Sequence, residues 1–112
     1  MMSDATRSPN SELSEVLQRL ISAYEPERIY LFGSHARGDA TDDSDFDLLV
    51  VVPDTARDEQ QRSRLAYEVL WGTGASADVI VNTAQQFKRR SHLRSSLAGT
   101  VMREGRVVYD AA

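Results

Sequence analysis

The sequence predicts a single α/β (α+β) domain in which a mixed sheet of about four strands packs against helices. Three observations support this fold class: the length, the order of the segments and the turn residues between them. The chain has 112 residues, the size of one domain. Amphipathic helical patterns alternate with short apolar runs, and Gly or Pro separates most of them. We therefore treat residues 1–112 as one domain.

The N-terminal part predicts a helix followed by a strand. Residues 1–8 have the composition of a disordered start. From Leu13 onward apolar residues recur at i, i+3, i+4 and i+7, which indicates an amphipathic helix that ends before Pro26. Residues 28–32 are typical of a strand that runs into the turn Gly33-Ser34.

The middle of the chain predicts two strands joined by a helix. Residues 46–52 form a nearly continuous apolar run, which indicates a strand buried on both faces. Thr55 with Asp58 can cap a helix that extends to about Trp71, where a Gly-Thr-Gly segment ends it. Residues 77–81 form the third predicted strand.

The C-terminal part predicts two helices and a closing strand. Thr83 and Gln86 have the spacing of a capping box, which predicts a short helix. A last helix is predicted over residues 91–104, before a short strand at residues 107–109. Its predicted buried residues are Leu93, Leu97, Val101 and Met102.

The connections between strands place several polar residues at one edge of the sheet. A short connection makes the first two strands antiparallel, so the Gly33-Ser34 turn lies beside Asp45 and Asp47. A helical connection makes the second and third strands parallel, so Asp78 lies at the same edge. We therefore expect three carboxylates and a small-residue turn at one rim.

This combination of residues is suited to phosphate chemistry. A Gly33-Ser34 turn lets backbone N–H groups approach a phosphate. Asp45 and Asp47 are one residue apart on a strand and point to the same face. Like charges held so close repel each other unless a cation lies between them. The pattern therefore favours metal-assisted phosphoryl or nucleotidyl transfer.

The spacing of these residues resembles that of the nucleotidyltransferases of the DNA polymerase β superfamily. The carrying motifs are Gly33-Ser34-His35-Ala36-Arg37-Gly38 and Ser44-Asp45-Phe46-Asp47-Leu48-Leu49-Val50. They are similar to the minimal, MNT-type branch, and the ending Met102-Arg103-Glu104-Gly105-Arg106-Val107-Val108-Tyr109 extends the likeness. The resemblance covers roughly residues 10–110 and implies a nucleotidyltransferase fold.

The resemblance also implies roles for individual residues. Nucleotidyl transfer from a nucleoside triphosphate, with ATP as the expected substrate, would be supported by two Mg²⁺ ions. Asp45 and Asp47 would hold the metal ions, with Asp78 as the third carboxylate, positioned to activate the acceptor hydroxyl. Gly33 and Ser34 would hold the β- and γ-phosphates.

The same resemblance implies a partner protein. MNT-type proteins usually accompany a HEPN-domain toxin and act as its antitoxin, in some systems by adding AMP to a toxin tyrosine. Two alternatives stay open: an antitoxin that neutralises its partner by binding alone, and a small-molecule nucleotidyltransferase of the aminoglycoside-modifying kind. The latter usually needs an additional helical domain, for which this chain has no room.

Several residues outside the acid cluster have more than one interpretation. Arg37 can contact a phosphate or pair with Asp39 or Asp42 on the surface. His35 is interpreted as a loop side chain, and Tyr67 and Trp71 as core residues, although an exposed Trp71 would indicate an interface. The basic cluster is either a solvated helical face or a contact surface for an acidic partner or RNA; it comprises Lys88, Arg89, Arg90 and Arg94.

Composition excludes several classes of protein. The absence of cysteine excludes disulfides and thiolate metal sites and fits the cytoplasm. No run of roughly 18 apolar residues and no secretory start is found, so we expect a cytoplasmic protein. Net charge is −4: residues 1–60 carry 13 acids against 5 Lys or Arg, and residues 61–112 carry 4 against 8. Such a chain is a poor general nucleic-acid binder.

Overall fold

Four strands form one mixed sheet in the order β3-β2-β1-β4 in the computed structural model of the protein. The strands are β1 (Arg28–Phe32), β2 (Phe46–Val52), β3 (Ala77–Thr83) and β4 (Arg106–Asp110). The structure describes residues 9–41 and 43–112. The predicted disordered start, residues 1–8, lies outside the described residues.

The strand directions agree with the prediction. β1 runs antiparallel to β2, and β2 runs parallel to β3. β4 adds to the other side of β1 in antiparallel orientation, a pairing that the sequence did not indicate. The register places Asp47 opposite Phe32 on one side and Asp78 on the other. The α/β fold class with a four-stranded mixed sheet is therefore confirmed.

Helices cover both faces of this sheet. They are α1 (Pro9–Tyr24), α2 (Ser34–Arg37), α3 (Arg64–Val69), α4 (Ala84–Ser91) and α5 (Leu97–Glu104), with a 3₁₀ turn at Asp58–Gln61. The predicted capping box of α4 is present, since Thr83 Oγ1 accepts a hydrogen bond from the Gln86 N–H and Gln86 Oε1 accepts one from the Thr83 N–H.

The two faces differ in the depth of their apolar cover. The face under α1 and α3 contains the larger cluster, in which Leu20, Tyr24, Leu48 and Val50 are completely buried. The face under α4 and α5 contains a smaller cluster of four buried residues: Tyr30, Leu49, Val51 and Val101. β2 contributes buried side chains to both clusters, which confirms the prediction of a strand buried on both faces.

The helix predicted from Thr55 to Trp71 is wrong in its first half, and Tyr24 gives the physical reason. The Tyr24 hydroxyl donates to the carbonyl of Arg62 and accepts from the N–H of Ala66 at 2.9 Å. These two backbone groups would bond each other in a continuous helix. Because the Tyr24 hydroxyl occupies both groups, α3 starts only at Arg64, and burial raises the pKa of Tyr24 to about 12.

The predicted last helix is also shorter than expected. Ser96 accepts a hydrogen bond from the Gly99 N–H at 3.0 Å, so it caps α5 and separates it from α4. The cap turns Ala98 and Val101 toward the sheet, while Leu93 and Met102 are more than half exposed. Of the four residues predicted to be buried, Val101 alone is buried, and Leu97 is 37% exposed.

Candidate active site

The turn after β1 lies directly against the acidic strand. Gly33 has φ 73° and ψ −153°, a conformation that glycine adopts without steric cost and other residues almost never adopt. A Cβ atom at this position would overlap Oδ2 of Asp47. The missing side chain is therefore what lets the turn approach the carboxylate.

The short helix α2 begins at this turn. The N–H groups of Ala36 and Arg37 both donate to the carbonyl of Gly33. The N–H groups that precede them in the first turn have no acceptor within the helix, which is true of every helix start. These free N–H groups lie beside the Gly33 turn and could donate hydrogen bonds to a phosphate oxygen.

The three predicted acids lie at the same end of β2 and β3. Asp45 directly precedes β2, and the buried Phe46 separates it from Asp47, so both carboxylates leave the same side of the strand. Asp47 pairs with Asp78 across the parallel ladder, and neighbouring strands are about 4.8 Å apart. Asp45 and Asp78 are exposed, whereas Asp47 is partly buried.

Asp47 is close enough to the other two acids for their charges to change its pKa. Partial burial raises the pKa of Asp47, and the carboxylates of Asp78 and Asp45 raise it further. His35 and Arg37 act in the opposite direction. Since a neutralising cation would relieve this repulsion, the site favours positive charge at the centre of the three acids.

The donor set fits a hard divalent cation but does not enclose one. Carboxylate oxygens are the ligands that Mg²⁺ prefers, together with water and phosphate oxygens. Within residues 9–41 and 43–112, no group of three or more His, Cys, Asp or Glu side chains has the arrangement of a metal site. Oxygens from outside the protein would therefore have to complete the coordination.

Two residues of α2 differ in how they relate to the acids. Arg37 pairs with Asp39, with Nε 3.4 Å from Oδ2, and both side chains are about half exposed, so the surface-pair interpretation has a contact to support it. His35 is more than a loop side chain. Its Nε2 lies 3.1 Å from the Ser44 carbonyl and its ring stacks on Phe46 at 4.3 Å, which ties α2 to the segment that carries Asp45.

The basic cluster lies on the surface at the far end of β3. Lys88, Arg89, Arg90 and Arg94 are all exposed. Arg90 reaches Asn82, with Nη1 3.5 Å from Oδ1. Since α4 begins where β3 ends, the cluster is remote from the acids, which lie where β3 begins.

The interpretation of Tyr67 and Trp71 as core residues is wrong. Tyr67 is 53% exposed and Trp71 is 86% exposed. The helix instead buries Ala66 and Leu70 against α1 and the sheet. The apolar pattern of α3 alone could not distinguish these two sets, because Tyr24 fixes the point at which the helix starts.

Comparison with known sequences decides the family. Residues 11–107 match the nucleotidyltransferase domain. The chain belongs to this family. The predicted resemblance is thereby confirmed at family level, and the prediction of a nucleotidyltransferase with it.

A curated relative supports the assignment of this nucleotidyltransferase domain. A protein of Methanocaldococcus jannaschii, whose name proposes protein adenylyltransferase activity, is 34% identical over 99 residues. The match covers 87% of this chain and 94% of the relative.

Solved structures share the fold. A Sulfolobus solfataricus protein proposed to be a nucleotidyltransferase matches with a TM-score of 0.58 and 19% identity, over 97% of this chain and 94% of that one. A toxin–antitoxin structure with AMP-PNP matches with a TM-score of 0.57 and 22% identity, over 93% of this chain and 75% of that one. A structure of the toxin–antitoxin pair MntA–HpeT matches with a TM-score of 0.57 and 20% identity, over 88% of this chain and 72% of that one.

No helix in the described part of this nucleotidyltransferase domain has the length and apolar character needed to cross a membrane.

Proposed function

We propose that this chain is a Mg²⁺-dependent protein adenylyltransferase that transfers AMP from ATP to a tyrosine of a HEPN-type toxin and so acts as its antitoxin. The observation that carries the proposal is the contact between the Gly33 turn and the Asp47 carboxylate. It brings a backbone phosphate cradle and an acid cluster within one nucleotide's length of each other. Adenylyl transfer needs both in one place.

The relatives support the choice of nucleotide and partner. The M. jannaschii relative is named for protein adenylyltransferase activity, and one structure of the same fold is a toxin–antitoxin complex with an ATP analogue. The motif resembles MNT-type antitoxins, whose usual partner is a HEPN-domain toxin. An open rim on a small domain also fits an acceptor that brings its own shape.

Each site residue has a role in this proposal. Gly33 and Ser34 bind the β- and γ-phosphates through the turn and the start of α2. Asp45, Asp47 and Asp78 would hold two Mg²⁺ ions together with phosphate oxygens, and bound metal neutralises the charge of the triphosphate. Arg37 can leave its exposed pair with Asp39 to contact a phosphate.

The proposed transfer step is an in-line displacement at the α-phosphorus. The acceptor hydroxyl attacks the α-phosphorus of ATP in line with the bond to the leaving oxygen. The new O–P bond joins AMP to the acceptor, and pyrophosphate leaves on the side of the Gly33 turn. Asp78, which is exposed at the start of β3, accepts the hydroxyl proton.

Mass spectrometry of the partner tests the proposal. Incubating the chain with its HEPN partner, MgCl₂ and ATP should increase the partner's mass by one or more AMP units, on tyrosine. Asp78→Asn should lose this gain, and the matched loop variant Asp43→Asn should keep it. If the parent and both variants neutralise the toxin while the partner's mass does not change with any of them, the chain is an antitoxin that acts by binding alone.

A further inference from the structure

The start of β3 is bordered by two exposed aromatic side chains. Tyr67 lies on α3 and Trp71 follows two residues after the helix ends. Together with Ala75 and Ala77 they line an open cleft of about 220 Å³. We call this surface the Tyr67–Trp71 shelf.

The shelf is continuous with the proposed catalytic rim. Ala77 and Asp78 leave β3 on opposite sides, but Tyr67 joins them, since its hydroxyl lies 3.4 Å from Asp78 Oδ1. This is longer than a well-formed O–H···O hydrogen bond, so the contact is easily exchanged. The Tyr67 hydroxyl therefore lies beside the carboxylate that accepts the acceptor's proton in the proposed function.

The order of the strands shows that the shelf lies at the β3 end of the rim, away from the Gly33 turn. The Gly33 turn follows β1, Asp47 lies on β2, and Asp78 lies on β3, the strand at the edge. In an in-line displacement the acceptor enters opposite the leaving pyrophosphate. If the Gly33 turn holds the departing phosphates, the acceptor enters from the β3 side, where the shelf lies.

We propose that the Tyr67–Trp71 shelf is the docking surface for the protein acceptor. It would bind an apolar or aromatic side chain next to the acceptor's hydroxyl, which displaces the Tyr67 hydroxyl from Asp78. Exposed Trp and Tyr are the residues most often found to anchor protein interfaces. The inference rests on the proposed function and adds to it the surface that selects the acceptor.

Two other occupants could use an exposed tryptophan. The adenine ring could stack on it, but the triphosphate would then extend from the β3 edge toward β1 and leave no side for the acceptor. A second copy of the chain could also cover it. That contact would depend on the concentration of this protein alone, so a concentration series without acceptor separates it from acceptor binding.

Fluorescence gives a reading of the shelf that is independent of catalysis. Trp71 is the only tryptophan of the chain, so its emission reports on the shelf alone, and Trp71→Phe supplies the background. Adding the HEPN partner should shift Trp71 emission to shorter wavelength. AMP-PNP with MgCl₂ should leave it unchanged, and so should raising the concentration of the chain by itself.

Kinetics with a matched variant gives the second reading. Trp71→Ala should raise the KM for the protein acceptor about tenfold, a typical effect of removing an interface anchor, and leave the KM for ATP within about twofold. Leu93→Ala removes another exposed apolar side chain, 58% exposed and outside the shelf. It should change neither constant.

The results separate failure of the shelf from failure of the proposed function. AMP transfer without any change in Trp71 emission overturns the shelf and leaves the function standing. A shift of emission with partner but no transfer supports the docking surface and contradicts the function. A response of Trp71 to AMP-PNP, or to the chain's own concentration, assigns the shelf to the nucleotide or to a second copy and overturns the proposal.

Discussion

The two faces of the sheet differ in how completely apolar side chains cover them. The face under α1 and α3 is closed by a continuous apolar cluster. The face under α4 and α5 has a smaller cluster, and the alternation of side chains along β2 places Asp47 on the side of Leu49 and Val51. The deeply packed face stabilises the domain, while the thinly covered face leaves charged side chains accessible at its rim.

Stability and chemistry depend on different physical effects in this domain. Burial of apolar surface dominates on the first face. At the rim, the carboxylates of Asp78 and Asp45 raise the pKa of Asp47, so the charged form of Asp47 is disfavoured and a cation would relieve the repulsion. Substitutions on the two faces should therefore have separable effects.

The largest expected effect is a cavity in the deeply packed face. Leu20→Ala removes a completely buried side chain and should lower the free energy of unfolding by about 2–5 kcal/mol. Leu93→Ala, a half-exposed leucine between α4 and α5, should change it by less than about 0.5 kcal/mol. Urea denaturation measures both, and equal losses would show that the packing under α1 and α3 is not what stabilises the domain.

The next effect concerns the contact that joins turn and acid. Gly33→Ala puts a Cβ on the Asp47 carboxylate and should weaken AMP-PNP binding at least about tenfold, or about 1.4 kcal/mol. Gly74→Ala is the matched control, because Gly74 has a similar φ of 76° with open space around it. A positive φ strains both variants, and Gly33, with ψ −153°, lies in a region that almost only glycine adopts, so the strain there is of order 1–3 kcal/mol.

Calorimetric titration with MgCl₂ present distinguishes the two glycine variants. Gly74→Ala should bind AMP-PNP like the parent, since its cost is conformational strain alone. Equal affinity of Gly33→Ala and the parent would show that the Gly33 turn is not a phosphate cradle.

The smallest effect is electrostatic and depends on pH. The pKa of Asp47 is raised in the folded protein, so the folded state holds this proton more tightly than the unfolded state. The contribution of Asp47 to the free energy of unfolding is therefore fully present below its ordinary pKa of 3.8, and it is lost as pH rises through the raised pKa of the folded state. Asp47→Asn should therefore melt higher than the parent at pH 7 without metal, and the difference should shrink toward about pH 3.

Thermal melting without divalent cations, at both pH values, measures this effect. If Asp47→Asn melts below the parent at pH 7, the carboxylate stabilises the fold, and its favourable contacts outweigh its burial and its repulsion by Asp78 and Asp45.

The parts of this structure that sequence predicts are those fixed by local pattern. β2 is an uninterrupted apolar run, and the Gly33-Ser34 turn and Asp45 and Asp47 follow from residue type and spacing. The start of α3 could not be predicted, because it depends on a Tyr24 hydroxyl that comes from 38 residues away. Ser96 is different: its capping pattern was present in the sequence and could have located the start of α5.

The rim shows the same limit. Strand order and direction predicted that Asp78 would approach Asp47. The antiparallel order of β1 and β2 likewise predicted that the Gly33 turn lies beside Asp47. The exposure of Trp71 depends on how α3 packs, and no short pattern records it.

Calorimetric titration of AMP-PNP into the parent and Asp47→Asn, with and without MgCl₂, tests the central claim most directly. If the Gly33 turn and the three acids form one nucleotide site, MgCl₂ should strengthen binding to the parent at least about tenfold, and Asp47→Asn should lose most of that gain. Binding that is insensitive to MgCl₂, or equally strengthened by it in Asp47→Asn, would contradict the claim that turn and acids form one site.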